Sequence, residues 1–208
     1  MPGHPSIHNN KPNNVNQEQT RIDIVPPVVV LIFGNSCAGK STVGRELAGL
    51  FTKGAYVEVD ELRQKIVGGH VGGPRDPNRK DAPDAHAEQR KIADENASIL
   101  AQNFAAHGFS SVIEGLENSR RPGTGWSESR FGAIPVFLVL LMCDEETALK
   151  RLTGRGWGDG VNLRPGFKRD RAWYLDHQDL FDLTVRTDEH SPERVAKLIY
   201  DGVKKRQK

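Results

Sequence analysis

Short apolar runs alternate with amphipathic stretches along most of the chain. Five runs have the length of β-strands and are rich in apolar residues: Val28–Phe33, Ala55–Asp60, Phe109–Leu116, Ile134–Met142 and Leu183–Arg186. The run from Ile134 is almost wholly apolar, which is typical of a strand buried on both faces. Because these strands alternate with helical segments, the pattern predicts an α/β protein with a parallel sheet covered by helices on both faces.

Helical periodicity marks the segments between and after these strands. The longest helix is predicted over Asp84–His107 and ends at Gly108. Its buried face should carry four large apolar residues, Ile92, Ile99, Leu100 and Phe104. Ser191 and Pro192 are typical N-cap and N1 residues, and they predict the start of a last helix.

The first residues lack the apolar content of a folded domain. The segment up to Gln19 is rich in Asn, Pro, Gln and Gly, and after Met1 its large apolar side chains are Ile7 and Val15. Such a segment cannot offset its ordering entropy by burial. We therefore expect a disordered tail over residues 1–24, without the apolar core of a signal peptide, and one domain over residues 25–208.

Charge and cysteine content narrow the class of partner. The 29 Lys and Arg residues nearly balance the 27 Asp and Glu residues, so the net charge favours neither nucleic acid nor a membrane surface. No apolar run approaches the roughly 20 residues of a membrane span. Cys37 and Cys143 lie far apart and form no metal-binding pattern, which is typical of a reducing compartment. The composition therefore predicts a cytoplasmic protein.

One motif carries most of the chemical information. Gly34, Gly39, Lys40 and Ser41 match the phosphate-loop pattern G-x-x-x-x-G-K-[ST], between a predicted strand and a predicted helix. Backbone N–H groups of such a loop point at phosphate oxygens, the lysine reaches the β- and γ-phosphates, and the serine binds Mg²⁺. The motif thus predicts ATP and Mg²⁺ as cofactors. We assign one segment to the nucleotide: Gly34, Asn35, Ser36, Cys37, Ala38, Gly39, Lys40, Ser41 and Thr42.

Two carboxylates follow predicted strands at the edge where parallel sheets bind ligands. Asp60 ends the second strand, where it could accept the proton of an attacking hydroxyl or cap the next helix. Glu114 ends the third strand, where it could hold Mg²⁺ through water or lie in solvent. We assign Asp60 to catalysis and acceptor binding, together with catalytic Lys40, and we assign Glu114 and Ser41 to the metal.

Arginines near two loops complete the predicted site. A long loop within residues 61–84 should form the acceptor side, with Arg63 in a short helix at its start. Arg120, in the irregular segment after the third strand, is also assigned to the acceptor. Arg151 and Arg155 are four positions apart beside a glycine-rich segment. They could follow the transferred phosphoryl group in a lid, or they could form a basic surface.

From Val28 to Val203 the chain resembles small P-loop kinases of the nucleoside-monophosphate-kinase-like group. The resemblance implies a P-loop NTPase fold with the strand order 2-3-1-4-5. Arg151-Leu-Thr-Gly-Arg155 is similar to the R-x-x-x-R that opens the lid of adenylate kinases. This similarity implies a lid over about residues 151–170, with Arg151 on adenine and catalytic Arg155 at the phosphates.

Two further resemblances concern the acceptor. Asp60-Glu-Leu-Arg63 resembles the D-x-x-R of polynucleotide 5′-kinases, which implies that Asp60 is the base and that Arg63 contacts the acceptor. The overall likeness is greatest to chloramphenicol phosphotransferases, whose Asp after the second strand is the base. The motifs of that likeness are Ser36-Cys-Ala-Gly-Lys-Ser41, Cys143-Asp144 and His177-x-x-x-Phe-Asp182-x-x-Val-x-Thr187.

These features favour an ATP-dependent kinase that transfers the γ-phosphoryl group to a hydroxyl of a small molecule, such as an antibiotic, sugar or nucleoside. A nucleic-acid 5′-end kinase is the alternative that the D-x-x-R motif supports. A nucleotide-binding regulator without catalysis is a third possibility. A GTPase-type switch would require an Asn-Lys-x-Asp motif, which the sequence lacks.

Overall fold

Five parallel strands form one sheet. The computed structural model describes residues 26–72, 83–116, 128–154 and 164–207. Its strands are β1 (Val29–Gly34), β2 (Gly54–Glu58), β3 (Ser110–Glu114), β4 (Val136–Met142) and β5 (Leu183–Arg186). Their order across the sheet is β2-β3-β1-β4-β5, which confirms the predicted order. Every neighbouring pair is parallel, so all carboxyl ends lie at one edge.

Helices cover both faces of this sheet. The described ranges contain α1 (Lys40–Leu50), α2 (Val59–Arg63), α3 (Pro83–Ala106), α4 (Glu145–Gly154), α5 (Arg164–Asp176) and α6 (Pro192–Arg206). The predicted start of the last helix is confirmed, because the Ser191 side chain accepts a hydrogen bond from the N–H of Arg194 and Pro192 follows it. Within these ranges no helix is both long enough and apolar enough to cross a bilayer.

The central strand β1 divides the core into two layers. Val29 to Phe33 are at most 1 % exposed, so this strand reads as a continuous apolar run rather than an alternating one. Val30 and Ile32 pack in a cluster with side chains of α1 and α6. Leu31 and Phe33 pack on the other face with side chains of α3 and α5. The loop that follows β1 is therefore held on a rigid support.

The predicted buried face of α3 is wrong in part. Ile99 is 62 % exposed and Ile92 is 40 % exposed. The helix instead packs through small residues at intervals of four positions, Ala93, Ala97 and Ala101. Such small side chains let the helix axis lie close to the sheet, which leaves larger neighbours at the margin or outside. Leu100 and Phe104 do pack against the core, each only partly buried.

Several predicted strand boundaries also change. β2 ends at Glu58, so Asp60 lies in the first turn of α2 rather than at the end of the strand. The N-cap of α2 is Glu58, which removes the capping alternative for Asp60. β3 and β4 begin one and two residues later than predicted, at Ser110 and Val136. The predicted tail over residues 1–24 lies outside the described residues.

Candidate active site

The loop between β1 and α1 adopts a backbone that requires glycine. Gly34 has a φ of 138° and Gly39 a φ of 89°. A Cβ at Gly34 would lie 2.0 Å from the carbonyl oxygen of Leu141 on the neighbouring strand β4. Cys37 also has a positive φ, 63°, which residues other than glycine seldom adopt. The loop thereby places the N-terminus of α1, with its partial positive charge, at the sheet edge.

Lys40 folds back across this loop. Its Nζ donates hydrogen bonds to the carbonyl oxygens of Gly34 and Asn35, each at 3.1 Å. The ammonium group is partly buried and lies beside the helix N-terminus, so two sources of positive charge share one cradle. A polyphosphate chain is the kind of ligand that such a cradle binds.

Ser41 and Glu114 meet at the carboxyl edge of the sheet. β3 pairs with β1 so that Glu114 lies opposite Ile32. The hydroxyl of Ser41 donates to Oε1 of Glu114 at 2.7 Å. Both groups offer hard oxygen atoms, which Mg²⁺ prefers, and Mg²⁺ commonly needs only one or two protein carboxylates besides water and phosphate. The donor set therefore fits Mg²⁺, although the described residues contain no cluster of three or more acidic, His or Cys ligands.

A polar network extends from this pair across β2. The Tyr56 hydroxyl lies 3.2 Å from Oε1 of Glu114 and 3.1 Å from Oε2 of Glu58. Arg45 of α1 donates to the same oxygen of Glu58 at 3.0 Å. Burial first, and then the nearby Glu114 carboxylate, raise the pKa of Glu58 above its ordinary value. Burial and the two carboxylates also raise the pKa of Tyr56, so its hydroxyl stays protonated and can donate.

Asp60 is held by arginine side chains. Nη1 of Arg90, on α3, lies 2.5 Å from Oδ1 of Asp60, while Nη2 donates to the carbonyl oxygen of Gly115 at 2.9 Å. Nε of Arg63 lies 3.8 Å from the same carboxylate oxygen. The Asp60 side chain is nevertheless 48 % exposed, so a ligand can reach it. Sequence reasoning missed Arg90, because it is one charged residue among many on a long helix.

Arg63 is mostly engaged by the protein itself. It is 8 % exposed, and its Nη1 donates to the carbonyl oxygen of Val71 at 2.7 Å. Gln89 fixes the same segment, since it accepts from the N–H of Val71 at 2.9 Å and donates to the carbonyl oxygen of Gly69 at 2.7 Å. The described start of the predicted acceptor loop is therefore held by hydrogen bonds to Arg63 of α2 and Gln89 of α3. Residues 73–82 of that loop lie outside the described residues.

Arg151 of α4 lies on the side of the phosphate loop opposite to Asp60 and Arg63. Its Nη1 donates to the carbonyl oxygen of Cys37 at 3.1 Å and to the Thr187 hydroxyl at 3.0 Å. Its Nη2 donates to the carbonyl oxygen of Thr187 at 2.8 Å. The Thr187 hydroxyl in turn lies 2.9 Å from the carbonyl oxygen of Ala38. Arg151 thus lies beside the phosphate loop, where Thr187 is an additional contact, and its assignment to the nucleotide stays a prediction.

Asn35 connects the phosphate loop to α5. Its side chain is 2 % exposed, and its Nδ2 donates to the carbonyl oxygen of Phe167 at 3.2 Å.

The structure brings six of the predicted site residues together at one sheet edge: Lys40, Ser41, Glu114, Arg151, Asp60 and Arg63. The two other predicted site residues, Arg120 and Arg155, lie outside the described residues.

Comparison with known proteins gives a matching family model and several similar structures. The model of the AAA domain family matches residues 30–169. No curated protein sequence matches the chain. The tunicamycin resistance protein of Deinococcus radiodurans has a similar structure, with a TM-score of 0.57 and 19 % identity, over 85 % of this chain and 95 % of that one.

Two structures named as kinases are also similar. The shikimate kinase of Acinetobacter baumannii, in complex with shikimate, has a TM-score of 0.55 and 14 % identity, over 88 % of this chain and 96 % of that one. The APS kinase of Mycobacterium tuberculosis, in complex with AMPPNP and APS, has a TM-score of 0.53 and 15 % identity, over 86 % and 98 %. These likenesses show a shared P-loop NTPase fold.

Proposed function

The chain belongs to the AAA domain family, and from this premise we propose that it is an ATP-dependent kinase that phosphorylates a hydroxyl group of a small molecule. One observation carries the proposal. The phosphate loop with Lys40, the Ser41–Glu114 pair and the exposed carboxylate of Asp60 all lie at the carboxyl edge of one sheet. Phosphoryl transfer needs these three elements: a phosphate cradle, a place for Mg²⁺ and a group that receives a proton.

The phosphate side supplies charge and position. Loop N–H groups and Lys40 would bind the β- and γ-phosphates, and their positive charge would stabilise the transferring phosphoryl group. Ser41 and Glu114 would hold Mg²⁺, which supplies further positive charge to the phosphate oxygens when bound. Arg151 would lie beside the base or sugar of the nucleotide, held in place by Cys37 and Thr187.

The acceptor side supplies a base. Asp60 would accept the proton of the attacking hydroxyl, because its carboxylate is reachable from solvent. Arg90 would fix the direction of that carboxylate through its hydrogen bond to Asp60 and its second bond to Gly115. The segment fastened by Arg63 and Gln89 would form one wall of the acceptor pocket.

The burial of Arg63 favours a small acceptor over a nucleic-acid 5′ end. The D-x-x-R resemblance implies that this arginine contacts the acceptor. Arg63 is 8 % exposed as a residue and its guanidinium donates to the Val71 carbonyl, so it would support the pocket wall rather than project toward a polymer. The balanced charge of the chain supports the same choice, since binding of a nucleic-acid backbone usually needs a basic stripe.

The likeness to chloramphenicol phosphotransferases stays a prediction. Two of the residues that carry it have structural partners here. Asp182 accepts a hydrogen bond from the N–H of Leu138 at 2.7 Å, and Thr187 contacts the phosphate loop. These contacts stabilise the fold around the sheet and the phosphate loop. They therefore give both residues a structural role, and the identity of the acceptor is left to experiment.

Transfer from radiolabelled ATP to a panel of hydroxyl compounds tests the proposal. The panel should include antibiotics, sugars, nucleosides and an oligonucleotide with a 5′-hydroxyl, and the Lys40→Ala protein is the control. We expect label in a small compound that depends on Lys40. Efficient labelling of the oligonucleotide, falling steeply with added salt, would instead establish an end kinase. ATP binding without transfer to any acceptor would favour the regulator.

A further inference from the structure

Tyr56 of β2 has no part in the mechanism proposed above, yet its hydroxyl lies beside the predicted metal site. We propose that Tyr56 is a positioning residue, which holds the Glu114 carboxylate in the orientation that Ser41 and a bound Mg²⁺ ion require. The inference rests on the proposed kinase function, because it assigns a role within the same site.

Two hydroxyl groups converge on one oxygen of Glu114. Ser41 donates to Oε1 at 2.7 Å, and the Tyr56 hydroxyl lies 3.2 Å from that same atom. Within the described part of the chain, Oε2 of Glu114 receives no hydrogen bond. A carboxylate that is fixed through one oxygen cannot rotate freely. Oε2 would thereby be the oxygen available to a cation or to a water of its hydration shell.

The Tyr56 ring is itself held from two directions. The guanidinium of Arg45 lies 4.6 Å from the ring centroid. Gly44 of α1 is so close that a Cβ there would lie 2.7 Å from Cε2 of the ring. The hydroxyl is also 3.1 Å from Oε2 of Glu58, which Arg45 binds in turn. A ring packed in this way can transmit its own position to Glu114, which is what a supporting side chain must do.

A purely packing role would involve only the ring. Tyr56 packs at the edge of the core cluster beneath α1, and a phenylalanine would fill that space equally well. The hydroxyl is the atom that hydrogen-bonds to Glu114. Hydrogen-bonded partners of metal ligands typically change metal affinity by about 10- to 100-fold when they are removed. If Tyr56 only packs, loss of the hydroxyl should leave metal affinity unchanged. If Tyr56 positions Glu114, the same loss should weaken metal binding.

Tyr56→Phe isolates that atom, and Tyr200→Phe is the matched control. Tyr200 packs against Phe51, with ring centroids 5.2 Å apart, whereas the hydrogen bonds of Glu114 within the described residues come from Ser41 and Tyr56. Binding of Mn²⁺, used in place of Mg²⁺ for its electron-spin resonance signal, should be titrated with a non-hydrolysable ATP analogue present. We expect about tenfold weaker Mn²⁺ binding in Tyr56→Phe and no change in Tyr200→Phe. Affinity for the nucleotide without metal should stay the same in both.

A double-mutant cycle separates positioning from a general disturbance of β2. In the Glu114→Ala background, Tyr56→Phe should cause no further loss of Mn²⁺ affinity, because the side chain that its hydroxyl positions is absent. An equal loss in both backgrounds would show that Tyr56 acts on packing alone. Wild-type Mn²⁺ affinity in Tyr56→Phe would overturn the positioning role while leaving the kinase proposal intact. Failure of the wild-type protein to bind Mn²⁺ with the nucleotide would overturn both.

Discussion

Gly34→Ala should be the most damaging single-methyl substitution in the phosphate loop. The added Cβ would lie 2.0 Å from the carbonyl oxygen of Leu141, whereas ordinary contact needs at least 3.4 Å. The gap would have to open by about 1.4 Å, against a backbone atom of Leu141, the residue that lies opposite Gly34 where β1 pairs with β4. The φ of 138° is unfavourable for alanine as well.

The expected loss of stability follows from the steric overlap with Leu141 and from the positive φ of Gly34. Overpacking costs about 1–3 kcal/mol, and a left-handed backbone about 1–2 kcal/mol for a residue with a Cβ. The free energy of unfolding should therefore fall by about 2–5 kcal/mol. For a domain of this size each kcal/mol changes the melting temperature by about 2–4 °C, which predicts a loss of about 4–20 °C.

Thermal unfolding followed by circular dichroism measures this loss, and two glycines serve as controls. Gly39→Ala keeps a positive φ but has room, since the nearest atom is Nη1 of Arg151 at 3.8 Å. It should lose only the conformational term, about 1–2 kcal/mol. Gly49→Ala in α1 meets nothing within 4 Å and should stabilise the helix by up to about 1 kcal/mol. A melting temperature for Gly34→Ala within about 2 °C of Gly39→Ala would refute the steric argument.

Three further predictions concern the site itself. Lys40→Ala should lower transfer at least about a hundredfold and keep the folded circular-dichroism spectrum, because its ammonium group lies across the phosphate loop, where it would bind the phosphates. Asp60→Asn should lower turnover about a hundredfold while calorimetry shows unchanged ATP affinity; a collapse of that affinity would make Asp60 a nucleotide or metal group. At pH 8 one thiol should react with a labelling reagent. Cys37 should react and be protected by ATP, whereas Cys143 is buried and burial raises its pKa to about 11. Reaction of both thiols at pH 8 would contradict this.

The sheet and its ligand edge could be predicted from the sequence because their signals are local. The apolar run of β1, the glycines and the lysine lie within 14 residues, from Val28 to Ser41, and each residue type has one physical purpose there. Glu114 could be placed beside Ser41 once the strand order was assumed, since parallel neighbours end at one edge. The strand order itself is confirmed.

The contacts between distant elements could not be predicted. Arg90 reaches Asp60 from a helix 30 residues later, and Thr187 reaches the phosphate loop from the end of β5. The periodicity of apolar residues does not predict such contacts, because they depend on how the helices pack against the sheet. The alanine face of α3 was missed for a related reason: a pattern built on large apolar residues overlooks a helix that packs through Ala93, Ala97 and Ala101.

The bond between Thr187 and Ala38 has a consequence for the order of assembly during synthesis. The phosphate loop is made early, but one of its carbonyl oxygens is paired by a residue 149 positions later. Strand β4, which meets Gly34 at the loop entrance, is also made about a hundred residues afterwards. A nascent chain therefore carries the complete loop sequence long before the loop has its supports. A nucleotide that binds only the finished loop would therefore stabilise the completed fold and not the partial chain.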